Sequence, residues 1–362
     1  MRTKGIGFLI LGAIILLGLA WKMFLGESWG PPSPVKLKGL VGSEKLGFLE
    51  DEQVQKVLRT RYGCVLDYNK AGSIEMIRED PAKYDFFFPS SQVALEIYKS
   101  LGKPLVKDAT IFNSPIVLYS WDIVAEALEK SAILQRQGGV LYAADMGRLV
   151  KLVLERAKWT DIGLPSLYGN IAIIPTDPLK SNSGNQFAGL VASILNGGEL
   201  VDEQAVGKVL PQVNRLFGRV GYMEHSTGVL FEQFLRTGIG AHPIIVGYEN
   251  QLIEFGLQNK DIWEVVKGKV RILYPVPTVW SSHIIIATNA KAASLIKALE
   301  DPEVQRIAWT RHGFRTGLAG VRNDPKVLTV AGIPERIEKV IPMPSPAVME
   351  RIIAALQTRS NP

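Results

Sequence analysis

Short apolar runs of strand length alternate with longer segments of helical spacing from residue 35 onward. The runs at 35–41, 64–68 and 84–88 predict three strands, and the segments at 46–62, 73–83 and 93–101 predict helices between and after them. Later strands are predicted at 116–119, 171–175, 243–247, 270–274 and 284–288, and later helices at 123–136, 146–158, 186–195, 204–215, 228–237, 290–299, 302–312 and 346–357. This alternation indicates an α/β fold built from doubly wound, mostly parallel sheets.

The segment 171–195 combines a strand, a polar loop and a helix, and it carries the strongest candidate chemistry. Its loop offers side-chain oxygens and amides, and the free N–H groups of a helix start attract negative or strongly polar ligand atoms. The candidate ligand-binding residues here are Thr176, Asp177, Ser181, Asn182 and Ser183. The alternative is that Ser181 or Ser183 only caps the helix while Asp177 only makes the turn.

Other predicted strands also end in serine-containing loops. Ser43 follows the first strand, and Ser90 and Ser91 follow the third. Ligands of doubly wound sheets gather at the loops that leave the carboxyl ends of the strands. These three serines are therefore further candidates for the same binding site.

Composition narrows the class of protein. With 362 residues, 47% of them hydrophobic, the chain can bury a large core and divide into two domains. Its 41 basic and 35 acidic residues are interspersed, which argues against a dedicated nucleic-acid surface. Cys64 is the single cysteine, so neither a disulfide framework nor a cysteine metal cluster is expected, and no cofactor is predicted.

The N-terminus carries a membrane signal. Arg2 and Lys4 precede a charge-free run at 5–21 that continues past Lys22. Such a run is either a secretory signal peptide or a single transmembrane helix that remains as an anchor, and we favour the anchor, over 1–26. The leading cations place the rest of the chain on the extracytoplasmic side, after a Pro-rich linker at 27–34.

Several motifs, taken in their order and spacing, resemble the type II periplasmic (extracellular) solute-binding proteins. The resemblance covers 35 to about 312 and rests on Thr176-Asp177-Pro178 with Ser181-Asn182-Ser183-Gly184, on Asn113-Ser114-Pro115-Ile116-Val117, on Ser282-His283-Ile284-Ile285-Ile286, on Gly247-Tyr248-Glu249-Asn250, and on Gly313-Phe314-Arg315. It departs from the family at Ser282-His283-Ile284, where Asp-His-Pro is usual, so a proline that stiffens the second crossing is missing.

The resemblance implies two α/β lobes that are joined by two crossing strands and close on a ligand. Lobe one would comprise 35–113 and 283–362, and lobe two 114–282. The hinge residues would be Asn113, Ser114, Ser282 and His283. Lobe one would contribute Ser43, Ser90 and Ser91 to the cleft, and lobe two the loop 176–183.

The resemblance also places Tyr248 and Glu249 near the floor of the cleft. Glu249 could bind a ligand ammonium, orient Tyr248 or pair with a cation of lobe two, and we favour the last two roles. Lys180 and Arg315 could add countercharge, although a lone loop lysine such as Lys180 is expected to be solvated. Hydroxyls and helix-start amides suit a small polar or anionic ligand.

The implied function is binding of a small solute for a membrane transporter or a signalling partner. One alternative is an adaptor with the same fold and an occluded cleft. A hydrolase is less favoured because no Gly-x-Ser-x-Gly elbow or His-Glu-x-x-His motif occurs, and His225, His242, His283 and His312 are far apart in sequence. We therefore predict no catalytic or metal-binding residues.

Overall fold

The structure is a computed structural model that describes residues 33–139, 141–337 and 339–360. The predicted anchor at 1–26 and most of the linker lie outside these residues. The strands are β1 (Val35–Val41), β2 (Cys64–Lys70), β3 (Phe86–Phe88), β4 (Lys107–Trp121), β5 (Leu134–Gln137), β6 (Leu141–Asp145), β7 (Ile244–Tyr248), β8 (Val270–Val276), β9 (Trp280–Ala287) and β10 (Arg315–Thr316). Among the described residues no helix is long and apolar enough to span a bilayer.

The helices surround these strands and alternate with them along most of the chain. They are α1 (Leu46–Glu50), α2 (Glu52–Tyr62), α3 (Ser73–Met76), α4 (Gln92–Ser100), α5 (Asp122–Lys130), α6 (Met146–Glu155), α7 (Asn182–Leu195), α8 (Val206–Phe217), α9 (Thr227–Thr237), α10 (Glu249–Gln258), α11 (Lys260–Val266), α12 (Ala293–Leu299), α13 (Pro302–His312) and α14 (Pro346–Ser360). Short 3₁₀ turns lie at Ser43–Lys45, Pro81–Lys83, Trp159–Ile162, Ala290–Ala292 and Pro325–Val327.

The long strand β4 belongs to two sheets. Its first part, 107–115, pairs with β9 in the sheet ordered β2-β1-β3-β9-β4. Its second part, from Ile116, pairs with β7 and β8, and β8 continues to β6 and β5. One sheet lies in each lobe, and the partners of β4 change between Pro115 and Ile116.

Both sheets are mixed. The pairs β1–β2, β1–β3 and β6–β8 are parallel, as the alternating sequence pattern predicts. The pairs that β4 and β9 form are antiparallel, as is β5–β6. Apart from the β5–β6 hairpin, each antiparallel pair contains β4 or β9, so the parallel arrangement is confined to β1–β2, β1–β3 and β6–β8.

Two apolar clusters form the core. The smaller one lies in lobe one, where Phe112 stacks on Phe314 with ring centroids 5.2 Å apart and Phe48 meets Phe112 edge-on at 4.9 Å. The larger one extends through lobe two around α7, which is buried on all sides from Ser183 to Ile194. A helix buried all round needs small residues, and a Cβ at Gly189 would lie 2.7 Å from the Met343 side chain.

Three predicted helices are shorter than expected. The helix predicted at 46–62 is two helices, because Asp51 is extended and its carboxylate accepts from the N–H groups of Gln53 and Val54 as the cap of α2. The helix predicted at 73–83 ends at Met76, and Pro81 begins a separate turn. The helix predicted at 123–136 ends at Lys130, since Ala132 is left-handed (φ 55°) and the chain then enters β5.

The prediction of a strand at 171–175 is wrong, because the segment forms no continuous pairing with another strand. Only Ile174 pairs, in a single parallel bridge with Ile245. Beyond it, the Asp177 N–H donates to the Glu224 carbonyl at 2.9 Å, so the loop before α9 holds the chain instead of a strand. The following helix begins at Asn182, four residues before the predicted start, which puts Asn182 and Ser183 in its first turn.

The C-terminal helix α14 lies against helices of lobe two, although the sequence assigned 283–362 to lobe one. It packs on α7 and α8 and also contacts α4 of lobe one, and Arg351 donates to the Glu203 carbonyl at 2.7 Å. The proposed domain boundaries stay a prediction.

Candidate functional site

The site lies where the lobes meet, and the Ser90 carbonyl is at its centre. Asn182 Nδ2 donates to this carbonyl at 2.8 Å and Gln186 Nε2 at 3.2 Å, both from α7 in lobe two. Ser281 Oγ donates to it from β9 at 2.9 Å. Asn182 Nδ2 also lies 3.0 Å from the Tyr248 hydroxyl. These hydrogen bonds bring residues from both lobes into direct contact.

Four helices begin around this point. They start at Gln92, Asn182, Thr227 and Glu249, each directly after a strand end or a polar loop. The first N–H groups of a helix have no partner within the helix and carry a partial positive charge. The cleft therefore collects several helix starts that favour a negative or strongly polar group.

Four hydroxyls form a buried cluster at the starts of α7 and α9. Ser183 Oγ lies 2.8 Å from Thr176 Oγ1 and 2.6 Å from Thr227 Oγ1. Ser181 Oγ lies 3.3 Å from both Ser183 Oγ and Thr227 Oγ1. A hydroxyl can rotate to donate or to accept, so this cluster can reorganise around a polar ligand without bringing in a charge.

A fully buried lysine lies on the lobe-one side of the same site. Lys45 Nζ donates to Ser90 Oγ at 2.6 Å, lies 3.3 Å from His283 Nδ1 and is ion-paired with Glu44. The ammonium is also 4.9 Å from the centre of the Phe88 ring. Ser90 Oγ donates in turn to Glu44, so one carboxylate is held by a cation and a hydroxyl.

The protonation states in this cluster follow from burial and charge. Burial on its own would raise the pKa of Glu44, but Lys45, His283 and the hydrogen bonds from Lys45 and Ser90 lower it to about 2. Burial lowers the pKa of Lys45, against the opposing effect of Glu44. Burial and then Lys45 lower the pKa of His283 well below its ordinary value, so the ring is neutral near pH 7.

Several buried polar atoms in the cleft have no protein partner among the described residues. They are Asn182 Oδ1, Gln186 Oε1 and His283 Nε2. A buried polar atom without a hydrogen bond is unfavourable by about 1–3 kcal/mol. Unpaired amide oxygens next to Ser90 are therefore atoms that a ligand donor could satisfy.

Glu249 has a different role from the ligand-binding one considered from sequence. Arg315 donates two hydrogen bonds to its carboxylate, from Nε at 2.6 Å and from Nη2 at 2.9 Å, and the Tyr274 hydroxyl donates a third at 2.7 Å. Arg315 also donates to the carbonyls of Glu335 and Pro334. Glu249 thus pairs with a cation, as favoured, but the cation comes from the return segment after β9 rather than from lobe two.

The other residues considered from sequence for ligand binding divide into four groups. Ser90, Asn182 and Tyr248 meet at the centre, and Thr176, Ser181 and Ser183 form the adjoining hydroxyl cluster. Ser91 caps α4 by accepting from the Ala94 N–H at 3.3 Å, and Asp177 accepts from the Leu179 N–H in its turn. Ser43 and Lys180 are exposed.

The predicted hinge residues lie beside the point where β4 changes sheet. Ser282 Oγ donates to Asn113 Oδ1 at 2.8 Å, and Ser114 Oγ lies 3.1 Å from Asn250 Oδ1. His283 instead faces Lys45 in the cleft. Their role as a hinge stays a prediction.

Sequence reasoning missed the residues that carry the most specific contacts. The sequence patterns predict no site role for Glu44 and Lys45, which follow the first strand, or for Gln186, Thr227 and Ser281. The available signal was position: Glu44 and Lys45 follow the first strand end in the same way that Ser90 follows the third. Their burial could not be inferred, because lysine and glutamate in a turn are ordinarily solvated.

The geometry also bears on the hydrolase alternative. In the described part of the chain no serine hydroxyl hydrogen-bonds a histidine ring nitrogen, and His283 faces the Lys45 ammonium instead. The described residues therefore contain no serine–histidine pair of the kind that a serine hydrolase uses.

Comparison with known proteins was made by sequence and by structure. No family model and no curated protein sequence matches the chain. Among solved structures, the sulfate-binding protein SubI from Mycobacterium tuberculosis H37Rv aligns with 87% of this chain and 96% of its own, at 15% identity and a TM-score of 0.54. Iron-bound HitA from Pseudomonas aeruginosa aligns with 90% of this chain and 99% of its own, at 12% identity and a TM-score of 0.58.

A third similar structure is the substrate-binding protein of an ABC transporter from Agrobacterium tumefaciens. It aligns with 89% of this chain and 94% of its own, at 14% identity and a TM-score of 0.55. This chain has the two-lobed fold of the solute-binding proteins. The predicted resemblance is confirmed at the level of the fold, and the solute-binding fold places the contacts around Ser90 between its two lobes.

Proposed function

We propose that this protein is an extracytoplasmic solute-binding protein that closes its lobes on a small polar or anionic ligand and delivers it to an ABC transporter. The observation that carries the proposal is the meeting of both lobes at Ser90, where helix starts, hydroxyls and the buried Lys45 are concentrated. We expect no catalytic activity.

The chemistry of the cleft favours an anionic group on the ligand. The Lys45 ammonium is fully buried, the first turns of α4, α7 and α9 face the same region, and the hydroxyl cluster adds neutral donors. Hydrogen bonds from a cation or an oriented N–H to an anion are roughly twice as strong as neutral ones. The unpaired oxygens of Asn182 and Gln186 would accept from a hydroxyl or amine on the same ligand.

The adaptor alternative is not favoured. An adaptor cleft would be plugged by apolar side chains, whereas this one is closed by hydrogen bonds of polar groups, including the part-buried bond from Asn182 Nδ2 to the Ser90 carbonyl. Polar contacts of this kind can exchange with a ligand, and lobe closure then shifts a population between open and closed forms.

The proposed location and anchoring rest on the sequence. Arg2 and Lys4 followed by the apolar run at 5–21 support an N-terminal membrane anchor with the lobes on the extracytoplasmic side. A transporter or signalling protein in the same membrane would then be the partner.

Thermal-shift screening of the full chain in mild detergent tests the proposal. We expect one or more compounds among inorganic oxyanions, carboxylates, sugars and amino acids to raise the melting temperature, because a ligand that binds only the folded state stabilises it. Ser183→Ala should weaken that shift, and Ser43→Ala, at an exposed serine, is the matched control. A full panel without any shift would contradict the proposed function.

A further inference from the structure

The Glu44 carboxylate occupies the place in the cleft where an anionic ligand group would gain most. It contacts the Lys45 ammonium and the Ser90 hydroxyl, which are the strongest donors on the lobe-one side. Burial and the neighbouring Glu44 carboxylate raise the pKa of Tyr248, a residue of the same cleft. A carboxylate from the protein itself thus lies where both lobes meet.

The position of Glu44 makes this carboxylate exchangeable. Its side chain is 10% exposed whereas that of Lys45 is fully buried, so Glu44 is the partner on the solvent side. Glu44 lies in a single 3₁₀ turn, Ser43–Lys45, between β1 and α1. A side chain on such a turn can rotate outward without breaking a helix or a strand.

Gly42 is what allows the carboxylate to fold inward. A Cβ at this position would lie 2.4 Å from Glu44 Oε1 and 2.6 Å from Oε2, and the three nearest atoms all belong to the Glu44 carboxylate. The backbone at Gly42 is ordinary extended chain (φ −69°, ψ 143°), so alanine would fit without strain apart from this clash. Space for the carboxylate, rather than backbone freedom, is therefore what glycine supplies here.

We propose that Glu44 is a built-in counter-anion that holds Lys45 and Ser90 until the anionic group of the ligand displaces it. This inference rests on the proposed solute-binding function and specifies it: the ligand carries a carboxylate or a small oxyanion. The exchange of one anion for another keeps Lys45 paired throughout, while the Glu44 carboxylate moves into solvent. A cationic ligand would gain nothing from this exchange, because it would face the Lys45 ammonium.

Calorimetric titration of the full-length protein with inorganic sulfate tests the proposal in five proteins. Glu44→Gln removes the competing charge, Gly42→Ala keeps the charge but excludes it from its place, and Lys45→Met removes the cation that both anions need. Gly240→Ala is the matched glycine control, because a Cβ there meets nothing within 4 Å and the backbone is not left-handed. The fifth protein is the unchanged chain.

We expect Glu44→Gln and Gly42→Ala to bind sulfate about tenfold more tightly than the unchanged protein, as loss of one competing charge-assisted hydrogen bond implies. Gly240→Ala should match the unchanged protein, and Lys45→Met should show no binding. Equal affinity in the unchanged protein, Glu44→Gln and Gly42→Ala would overturn the inference and leave the solute-binding function intact.

A second titration with spermidine separates the remaining outcomes. If the unchanged protein binds spermidine and Glu44→Gln does not, Glu44 is a direct ligand of a cation and the inference is wrong, although the binding function holds. If no variant binds either probe, the inference is also overturned. The proposed function then fails as well only if the broader thermal-shift panel is negative.

Discussion

Two buried ion pairs lie about the cleft, and they differ in almost every respect that decides their role. Glu249 and Arg315 are joined by two parallel hydrogen bonds, and the remaining donors and acceptors are taken by Tyr274 and two backbone carbonyls. Glu44 and Lys45 are neighbours in sequence on a single turn, beside polar atoms that have no partner. The first pair joins segments that lie 66 residues apart in the sequence, and the second lies within one turn.

The difference separates an ion pair that stabilises the fold from an ion pair whose anion can be exchanged for a ligand. Arg315 joins the return segment to the start of α10. If it lost its partner, its guanidinium would stay charged, because arginine does not release its proton in proteins. Lys45 can release its proton, since burial already lowers its pKa. The Glu249–Arg315 pair is therefore expected to resist change, whereas the Glu44–Lys45 pair can tolerate replacement of its anion.

The largest loss of stability is expected from breaking the Glu249–Arg315 pair. Glu249→Gln should lower the free energy of unfolding by about 3–5 kcal/mol, because it leaves the buried Arg315 charge uncompensated. Urea unfolding followed by circular dichroism measures this. Glu254→Gln, in the same helix, changes a carboxylate that is 20% exposed and pairs with His312, and it provides a less buried comparison.

The double variant Glu249→Gln with Arg315→Met sharpens the measurement. If the pair acts as a unit, the double variant should lose clearly less stability than the sum of the two single variants. Additive losses would show that Glu249 and Arg315 act separately, and the contrast between the two ion pairs would fail.

An intermediate effect is expected from acid titration of Glu44. Its pKa is lowered from 4.5 to about 2 on folding, so the ionised carboxylate contributes stability that is present above pH 4.5 and is lost as the pH falls through about 2. The unchanged protein should therefore lose stability between pH 4.5 and pH 2 faster than Glu44→Gln does. Unfolding free energies at several pH values test this, and parallel curves for the two proteins would contradict it.

The smallest effect is expected at the contact between the lobes. Asn182→Ala removes the hydrogen bonds from Nδ2 to the Ser90 carbonyl and the Tyr248 hydroxyl. The loss of stability should be about 1–2 kcal/mol, since each of the two bonds ordinarily contributes about 0.5–1 kcal/mol. Small-angle scattering should show a larger radius of gyration, since the lobes lose a direct link. Asn196→Ala, at the other end of α7 and away from the cleft, is the control, and an equal change in both variants would argue against a closure contact.

Part of the site was predictable because its residues follow strand ends in the sequence. Asn182 contacts Ser90 and Ser183 follows Asn182 in the same helix turn, in line with the rule that polar loops at the carboxyl ends of strands gather at one edge, while their ligand-binding role stays a prediction. The helix start at Asn182 was missed by four residues, because Ser181-Asn182-Ser183-Gly184 is equally typical of a loop. Ser183, Gly184 and Asn185 are buried in its first turn, and Ser183 hydrogen-bonds Thr176 and Thr227, which favours the helix here.

Other features could not be predicted from local pattern. Asp51 and Ala132 end predicted helices through capping and a left-handed backbone, and neither has a periodicity signal. The run at 171–175 has strand composition, yet only Ile174 finds a partner. Composition shows what a segment prefers, whereas pairing depends on which neighbour is available.

The sequence by itself determined the α/β class, the succession of most elements and the polar character of the loops that meet in the cleft. These properties depend on hydrophobic period and turn composition, which are local to each segment. Only the tertiary structure decided that Lys45, Ser90 and His283 form one buried cluster and that Glu249 pairs with Arg315. The physical reason is that a buried charge is stable only with partners, and Ser90 and His283 lie 45 and 238 residues from Lys45, while Arg315 lies 66 residues from Glu249.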